Sequence, residues 1–489
     1  MRKYAVVLSA VLLLTFVPAK GPYSAAAPGP RIYFASPAGR PDASGSRSDP
    51  LDLATALSEK TVVKAGDTLL LQEGTYKGAF TSSLTGSEAQ PVTVKGAPGA
   101  RVKIDGSLTV QGAWAAYCDF EVSNSSNDHT KSVPIGVNVY GPHTKFIDLV
   151  VHDTGGGFGF WEQAIDSEIY GCIIYHTGWQ GPGADRGHGH GIYMQNRTGV
   201  KRITDNVIFN NFGFGIHAYT EAGSLYGFHI EGNVAFNNGS ATRQGYRYDN
   251  ILVGGRRPAG RVAVIANYTY YTPGKGGQNR LGYRSPNEDV VVKDNYFAGG
   301  SPVVQLLGWE NVTMTGNVLY GAGVLLSVTR LKNDTGAYTI DHNNYCGGDA
   351  APFRVQNPAA GLSQASGFSD WQKETGFDDH STWTPGRPPG LPEQSVIVRR
   401  DQYEAGKGHI IVYNWERNDT VAVDLRGVVS PGSHYEIRNV LDYYGDPAAS
   451  GAYTGQAVLL PMSGTETGPE FNVFQVISRS PASDSPAAK

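Results

Sequence analysis

The chain has 489 residues and a formal net charge of −4, with 63 glycines, 27 tyrosines, 4 methionines and 3 cysteines. This slightly acidic balance offers no basic surface for nucleic acid, and the composition describes a turn-rich β protein rather than a helical one. A chain of this length outgrows one compact core unless it adds core by stacking repeats.

Residues 1–27 have the zones of a secretory signal: basic Met1-Arg-Lys, an apolar run from Ala5 to Pro18 and Ala-rich sequence to Ala27. The run is short for a bilayer crossing, and no later segment approaches the ~20 apolar residues one needs. The expectation is an exported, soluble, monomeric protein without membrane insertion. Residues 28–91 read as a lead-in and cap, with a strand at Arg31–Phe34, a short amphipathic helix near Leu51–Glu59 and an apolar strand after Gly66. A solenoid needs such a cap because its first coil otherwise exposes interior and strand edges.

Residues 92–383 form the repeats and a capping segment. Asn206, Asn233, Asn267, Asn295, Asn317 and Asn344 each open a short alternating apolar stretch, at successive spacings of 27, 34, 28, 22 and 27. The unit is one coil that tolerates insertions at a fixed place. Asp119, Asp148 and Cys172 occupy the Asn position in earlier coils. Recurrence of Asn in every coil favours a structural ladder of stacked amides that satisfies buried turn backbone. Cys118, Cys172 and Cys346 lie in apolar runs and suit interior packing, with Cys118–Cys172 pairing open if their coils stack. A short helix from Phe368 ending at Gly376 closes the solenoid. Residues 384–394 are a Pro/Gly linker, and residues 395–480 alternate with period two, the signature of a small antiparallel β-sandwich. That module is read either as a carbohydrate-binding unit or as a cap for the last coil.

Aligned on their Asn positions, the coils place Val137, Phe158, Ile192, Ile216, Ile251 and Leu281 on inward rungs. Asn138, Gly159, Tyr193, His217 and Leu252 then face outward. Two residues on come Tyr140, Trp161, Gln195, Tyr219, Gly254 and Arg284. The oversized coils carry their extra residues just before this strand, at 123–134, 178–191, 239–250 and 272–280. Insertions stacked at one corner build a wall, and the flat strand face beside it becomes a groove suited to a polymer.

The segments Gly189-His-Gly-Ile-Tyr-Met-Gln-Asn and Asp205-Asn-Val-Ile-Phe-Asn-Asn-Phe-Gly-Phe-Gly-Ile-His resemble the pectate-lyase-like superfamily of right-handed parallel β-helix proteins, in particular exported bacterial members thought to act on polysaccharides. The segment Trp371-Gln-Lys-Glu-Thr-Gly-Phe-Asp-Asp-His-Ser and the trailing β module also resemble that group. The resemblance covers roughly half the chain. It implies an all-β fold, a right-handed parallel β-helix solenoid with a C-terminal antiparallel β-sandwich module, and a polysaccharide substrate. The scaffold carries lyases, hydrolases, epimerases and adhesins, so the chemistry stays open. The clustered Asp calcium sites of pectate lyases and the Asp-Pro-His-Asp motif of mannuronan epimerases are missing. No cofactor follows, and calcium is left as an open possibility.

Elimination on a uronate needs a cation for the carboxylate, a base for the adjacent proton and an acid for the leaving oxygen. His190 or His217 is the candidate base, Tyr193 the acid, and Arg186, Arg247 or Arg284 the clamp, since Arg offers a planar two-pronged donor. A Tyr with a depressed pKa reverses the acid and base roles. Tyr140, Trp161, His188, Tyr219, Tyr246, Asp249 and Arg280 complete the expected substrate-binding set. His188 and His190 with Asp185 also have a metal-ligand pattern. A hydrolase would use two carboxyls instead, for which Asp185 and Asp249 stand out among Asp153, Glu162 and Asp166. A non-catalytic glycan-binding module would use the aromatics and leave the histidines idle.

Overall fold

A computed structural model describes residues 29–183, 185–243, 248–273, 276–284, 286–331, 337–357, 362–385 and 395–479. The signal segment and residues 386–394 of the linker therefore lie outside the described residues. No helix among those described is long and apolar enough to cross a membrane.

The architecture is a parallel β-helix with three strand faces. One is a 12-stranded sheet running from Ile32–Arg40 to Tyr338–Asp341, each strand parallel to its neighbour. The other two belong to one 22-stranded sheet because the long strand Val102–Val110 pairs with both Glu121–Ser123 and Val137–Val139. One column continues from Glu121–Ser123 through Val150–His152, Ile173–Tyr175 and Val207–Phe209. The other, the groove face, continues from Val137–Val139 through Phe158–Phe160, Ile192–Met194, Ile216–Ala218, Ile251–Val253 and Asn279–Leu281. Inward residues of all three faces form one continuous core, exemplified by Phe146, Phe158, Ile192, Ile203, Ile216 and Ile230.

The Asn ladder is real and lies at one turn. Each Nδ2 donates to the Oδ1 of the next coil's Asn, from Asn206 to Asn233 (2.9 Å), Asn267 (3.0 Å), Asn295 (3.0 Å), Asn317 (2.8 Å) and Asn343 (2.9 Å). The last member is Asn343 and not Asn344, which instead opens the strand Asn344–Gly347. In earlier coils Cys172 holds the position and its N–H donates to Asn206 Oδ1 (2.9 Å). The register aligns Leu149 and Phe120 with Cys172, so Asp148 and Asp119 stand one residue earlier, at left-handed φ of 57° and 58°. Short polar side chains tolerate that conformation. The three cysteines are free and buried, so Cys118 and Cys172 are not bridged.

The capping helix Phe368–Thr375 ends at left-handed Gly376 (φ 69°) and drives Trp371 into the end of the core, stacked on Phe353 at 5.4 Å. The C-terminal module is a five-stranded antiparallel sheet facing a two-stranded one across a core of Ile410, Val412, Val421, Leu460 and Phe474. It does not cap the last coil. The opposite face of its larger sheet, with Ile411, Tyr413, Phe471 and Val473, packs along the side of the solenoid against Phe209, Phe236, Tyr270 and Tyr296. Arg399 pairs there with Asp205, and Lys407 Nζ reaches Asp148 Oδ2 (2.7 Å) and Asp119 Oδ1 (3.1 Å). Strand alternation makes this possible, because this column is apolar on both its inward and outward sides.

Candidate functional site: the groove face

The four insertions all connect the docked column to the groove column, so their described residues lie on one side of that face. A second ladder, short and absent from the sequence reading, runs past the bases of the second and third insertions. Thr177 Oγ1 donates to Asn211 Oδ1 (2.8 Å), Asn211 Nδ2 to Asn238 Oδ1 (2.8 Å) and Asn238 Nδ2 to Asn250 Oδ1 (2.9 Å). Its signal was visible in the doubled asparagines Asn210-Asn and Asn237-Asn, five residues into two coils.

Register places Asn138, Gly159, Tyr193, His217, Leu252 and Arg280 in one outward row. Leu281 is not the rung in the last of these coils. Asn279 takes that place, buried, its Nδ2 donating to Thr269 Oγ1 and Val303 O (both 3.1 Å). Choosing the apolar residue shifted the frame by two, and the correction moves Arg280 into the row. Arg284 sits beyond it, exposed beside the Tyr283 ring (6.0 Å).

Three candidate residues meet. The His190 and His217 rings lie edge to face at 4.3 Å, with Tyr193 at 6.0 Å from the first and 5.6 Å from the second. Phe214 stacks on His217 from the wall at 4.2 Å, and Tyr219 from two residues along at 4.9 Å. Trp161 (5.6 Å from Tyr193) and Tyr140 (6.0 Å from Trp161) extend the aromatic strip. Trp161 is oriented by donating Nε1–H to Asn138 Oδ1 (3.1 Å).

Burial disfavours the charged form of both histidines, and neighbouring positive charge adds to it. His190 is pushed down to about 3, by burial first and then by Arg186 and His188. His217 falls well below its ordinary value through burial, His190, Arg186 and Arg280. The Phe214 N–H donates to His190 Nδ1 (3.2 Å), which puts the neutral ring's proton on Nε2. His217 makes no hydrogen bond among the described residues, and its Nδ1 is buried. Burial raises the Tyr193 hydroxyl, whose oxygen accepts from Gln195 Nε2 (3.0 Å). At neutral pH the site therefore holds two uncharged imidazoles beside a protonated phenol.

Cations and carboxylates divide into committed and free. Arg280 Nε lies 3.2 Å from Asp249 Oδ2, and burial pushes Asp249 up to about 7 although Arg280 pulls it down. Arg186 is exposed, and its side chain makes no ion pair among the described residues. Asp185 and His188 are bound within their own loop: His188 Nε2 is 3.1 Å from both Asp185 oxygens, its ring stacks on Trp179 at 4.1 Å, and Gly181 N–H donates to Asp185 Oδ2 (3.1 Å). Asp185, His188 and His190 do not converge as metal donors; among the described residues the clusters able to hold an ion lie elsewhere. Glu162 is held by both Arg197 nitrogens (3.0 and 3.1 Å), Asp166 accepts from Val200 N–H (2.8 Å), and Asp153 lies between His129 and His152. The Tyr219 hydroxyl is bonded to Glu221, which pairs with Arg256. Tyr246 and Arg247 lie outside the described residues.

Lys201 is a supporting residue with no sequence signal. It is fully buried, and its ammonium donates to the carbonyls of Phe160 (3.0 Å), Gln195 (2.7 Å) and Trp161, which holds the corner carrying Trp161 and Gln195. Read as sequence, a Lys opening the strand Lys201–Thr204 belongs on the surface.

No protein-family model matches the chain, and no curated protein matches it. Solved structures similar to it include pectate lyase Pel9A, at 17% identity over 64% of this chain and 82% of that one (TM-score 0.46). A rhamnogalacturonan lyase matches at 13% identity over 74% of this chain and 88% of that one (TM-score 0.48). An alginate lyase from Paenibacillus sp. matches at 17% identity over 72% and 99% (TM-score 0.39). Likeness at this level concerns the course of the chain and not its chemistry.

Proposed function

We propose that the protein is an exported polysaccharide-degrading enzyme that cleaves a uronate-containing glycan by β-elimination in this groove. The observation that carries the reading is the meeting of His190, Tyr193 and His217 on the flat strand face, with both rings neutral and the phenol protonated. A neutral imidazole accepts a proton, and a phenol that keeps its own can donate one. In the reaction His217 removes the proton beside the carboxylate, the bond to the leaving glycosidic oxygen breaks as the ring double bond forms, and Tyr193 protonates that oxygen. Arg186, whose side chain makes no ion pair among the described residues, would meet the carboxylate, and Arg280 adds positive charge beside His217. The aromatics Tyr140, Trp161 and Tyr219 supply flat surfaces on which sugar faces pack.

Hydrolysis would need two available carboxyls across the bond. Asp185 is occupied by His188 and Asp249 by Arg280, which weakens that alternative. The test is incubation of the mature chain with a panel of acidic and neutral polysaccharides, following ultraviolet absorbance of an unsaturated product together with reducing ends. Both signals should rise on an acidic glycan, and His217→Ala and Tyr193→Phe should abolish them. Reducing ends without absorbance would replace the lyase reading with a hydrolase. Silence across the panel, with retained binding, would replace it with a glycan-binding module.

A further inference from the structure

At the far end of the solenoid two histidines and an aspartate from separate segments meet on the surface. Asp341 ends the strand Tyr338–Asp341, His342 follows it with a φ of 57°, and His380 comes from the turn after the capping helix. Asp341 Oδ1 accepts the backbone N–H groups of His342 (2.8 Å) and His380 (2.7 Å), which fixes the carboxylate. Its second oxygen, Oδ2, faces His380 Nδ1 at 2.7 Å and His342 Nδ1 at 3.2 Å, and the two rings stack at 5.1 Å. A donor atom from each of the three residues lies within 4.8 Å of the other two.

One carboxylate oxygen facing two imidazole nitrogens from separate segments is an arrangement that a single metal ion can bridge. Metal–donor distances of about 2.0–2.2 Å at near-tetrahedral or octahedral angles separate the donors by roughly 3 Å, close to the 2.7 and 3.2 Å between Asp341 Oδ2 and the two imidazole nitrogens. The histidine side chains are 67% and 71% exposed, so the remaining coordination positions face water. The other acidic cluster, Asp119, Asp148 and Glu404, differs because the Lys407 ammonium already lies at 2.7 and 3.1 Å from its two aspartates.

We propose that Asp341, His342 and His380 form a site for a borderline divalent transition-metal ion of the zinc class, which clasps the capping segment to the last coil. Two imidazoles and one carboxylate select such an ion over calcium, which takes oxygen donors. Two of the donors belong to the last coil and one to the cap, so occupancy stabilises the closed end of the solenoid by mass action.

The full chain, stripped with a chelator, is titrated with zinc chloride and separately with calcium chloride in a calorimeter, and its thermal unfolding is followed with and without zinc. One zinc per chain and a zinc-dependent rise in Tm are expected. His342→Ala and His380→Ala should each weaken zinc binding at least about tenfold and remove the rise. His434→Ala, at an exposed histidine of the C-terminal module, should leave both unchanged. The metal-free melts of all three variants check that they fold. Absence of zinc binding, or binding of unchanged strength in both His342→Ala and His380→Ala, overturns the site. Equally strong calcium binding overturns the metal class.

Discussion

Arg280 and Asp249 are paired across neighbouring coils of the groove face, with Arg280 Nε 3.2 Å from an Asp249 carboxylate whose side chain is 1% exposed. The pair brings a buried acid and a half-open cation to the edge of the strip that holds His217. Removing one partner of such a pair is costlier than removing both charges, because the survivor stays buried and uncompensated.

Arg280→Ala should therefore destabilise the fold by about 3 kcal/mol under alkaline conditions, and Asp249→Asn by much less. The sign with pH follows from Asp249, whose folded value of about 7 lies above that of the unfolded chain. A raised carboxyl favours folding while protonated and loses that contribution as pH rises toward its folded value. The cost of Arg280→Ala should accordingly shrink toward about pH 5, where the carboxyl is neutral. Denaturant melts of both variants at two pH values check this; a pH-independent cost would show that Asp249 does not titrate.

Neutral His190 and His217 predict an unusual pH profile for the proposed activity. Ordinary imidazoles would protonate as pH falls through about 6.5 and take the base away. Both rings are held below that range by burial. No loss of kcat/KM should be centred there, and initial rates across the range measure it.

A second histidine cluster predicts the pH dependence of stability. His152 lies between Asp153 Oδ2 (2.7 Å) and Glu121 Oε1 (3.1 Å), and His129 Nε2 is 3.2 Å from Asp153 Oδ1. Burial opposes a charged His152, but bonds to the two carboxylates outweigh it and raise its pKa; the Asp153 bond raises His129. Raised histidines stabilise fully below the unfolded value of about 6.5, and this contribution disappears as pH rises through their folded values. Burial alone would raise Glu121, yet His152 and Arg101 hold it down to about 2, so its contribution is full above the ordinary carboxylate range and is lost as pH falls toward that value. Tm should fall on the alkaline side, and His152→Gln should flatten that slope. An unchanged slope in the variant would locate the titration elsewhere.

Asn233→Ala interrupts the main ladder at its middle. It removes donors to Ile203 O (2.7 Å) and Asn267 Oδ1 (3.0 Å) and the acceptor of Asn206 N–H (3.1 Å), all buried. Leaving several buried groups unpaired costs about 3 kcal/mol or more, measurable by denaturant unfolding. Asn344→Ala, outside the ladder, should cost less.

The outward row was legible where one coil repeats the next. Tyr193, His217, Trp161 and Tyr219 were placed correctly because strand alternation converts spacing into direction. Polarity hid the register in the last of these coils. Buried Asn279 did not look like a rung, so Leu281 was chosen and Arg280 missed the row. Adjacent Asn343 and Asn344 differ only in which one the neighbouring coil can reach.

Periodicity of Asn and of alternating apolar residues determined the solenoid, its turns and the corner where insertions gather, since each is a local pattern repeated along the chain, and the stop at Gly376 marked the capping helix. Contacts between segments far apart in sequence came only from the tertiary structure. These include Arg280 beside Asp249, His380 beside Asp341, Lys201 beneath Trp161, and the C-terminal sheet laid along the solenoid's apolar side and not over its end. Repeat spacing specifies which residues face outward in each coil, but pairings across coils and modules depend on how far each insertion reaches, which no local pattern encodes.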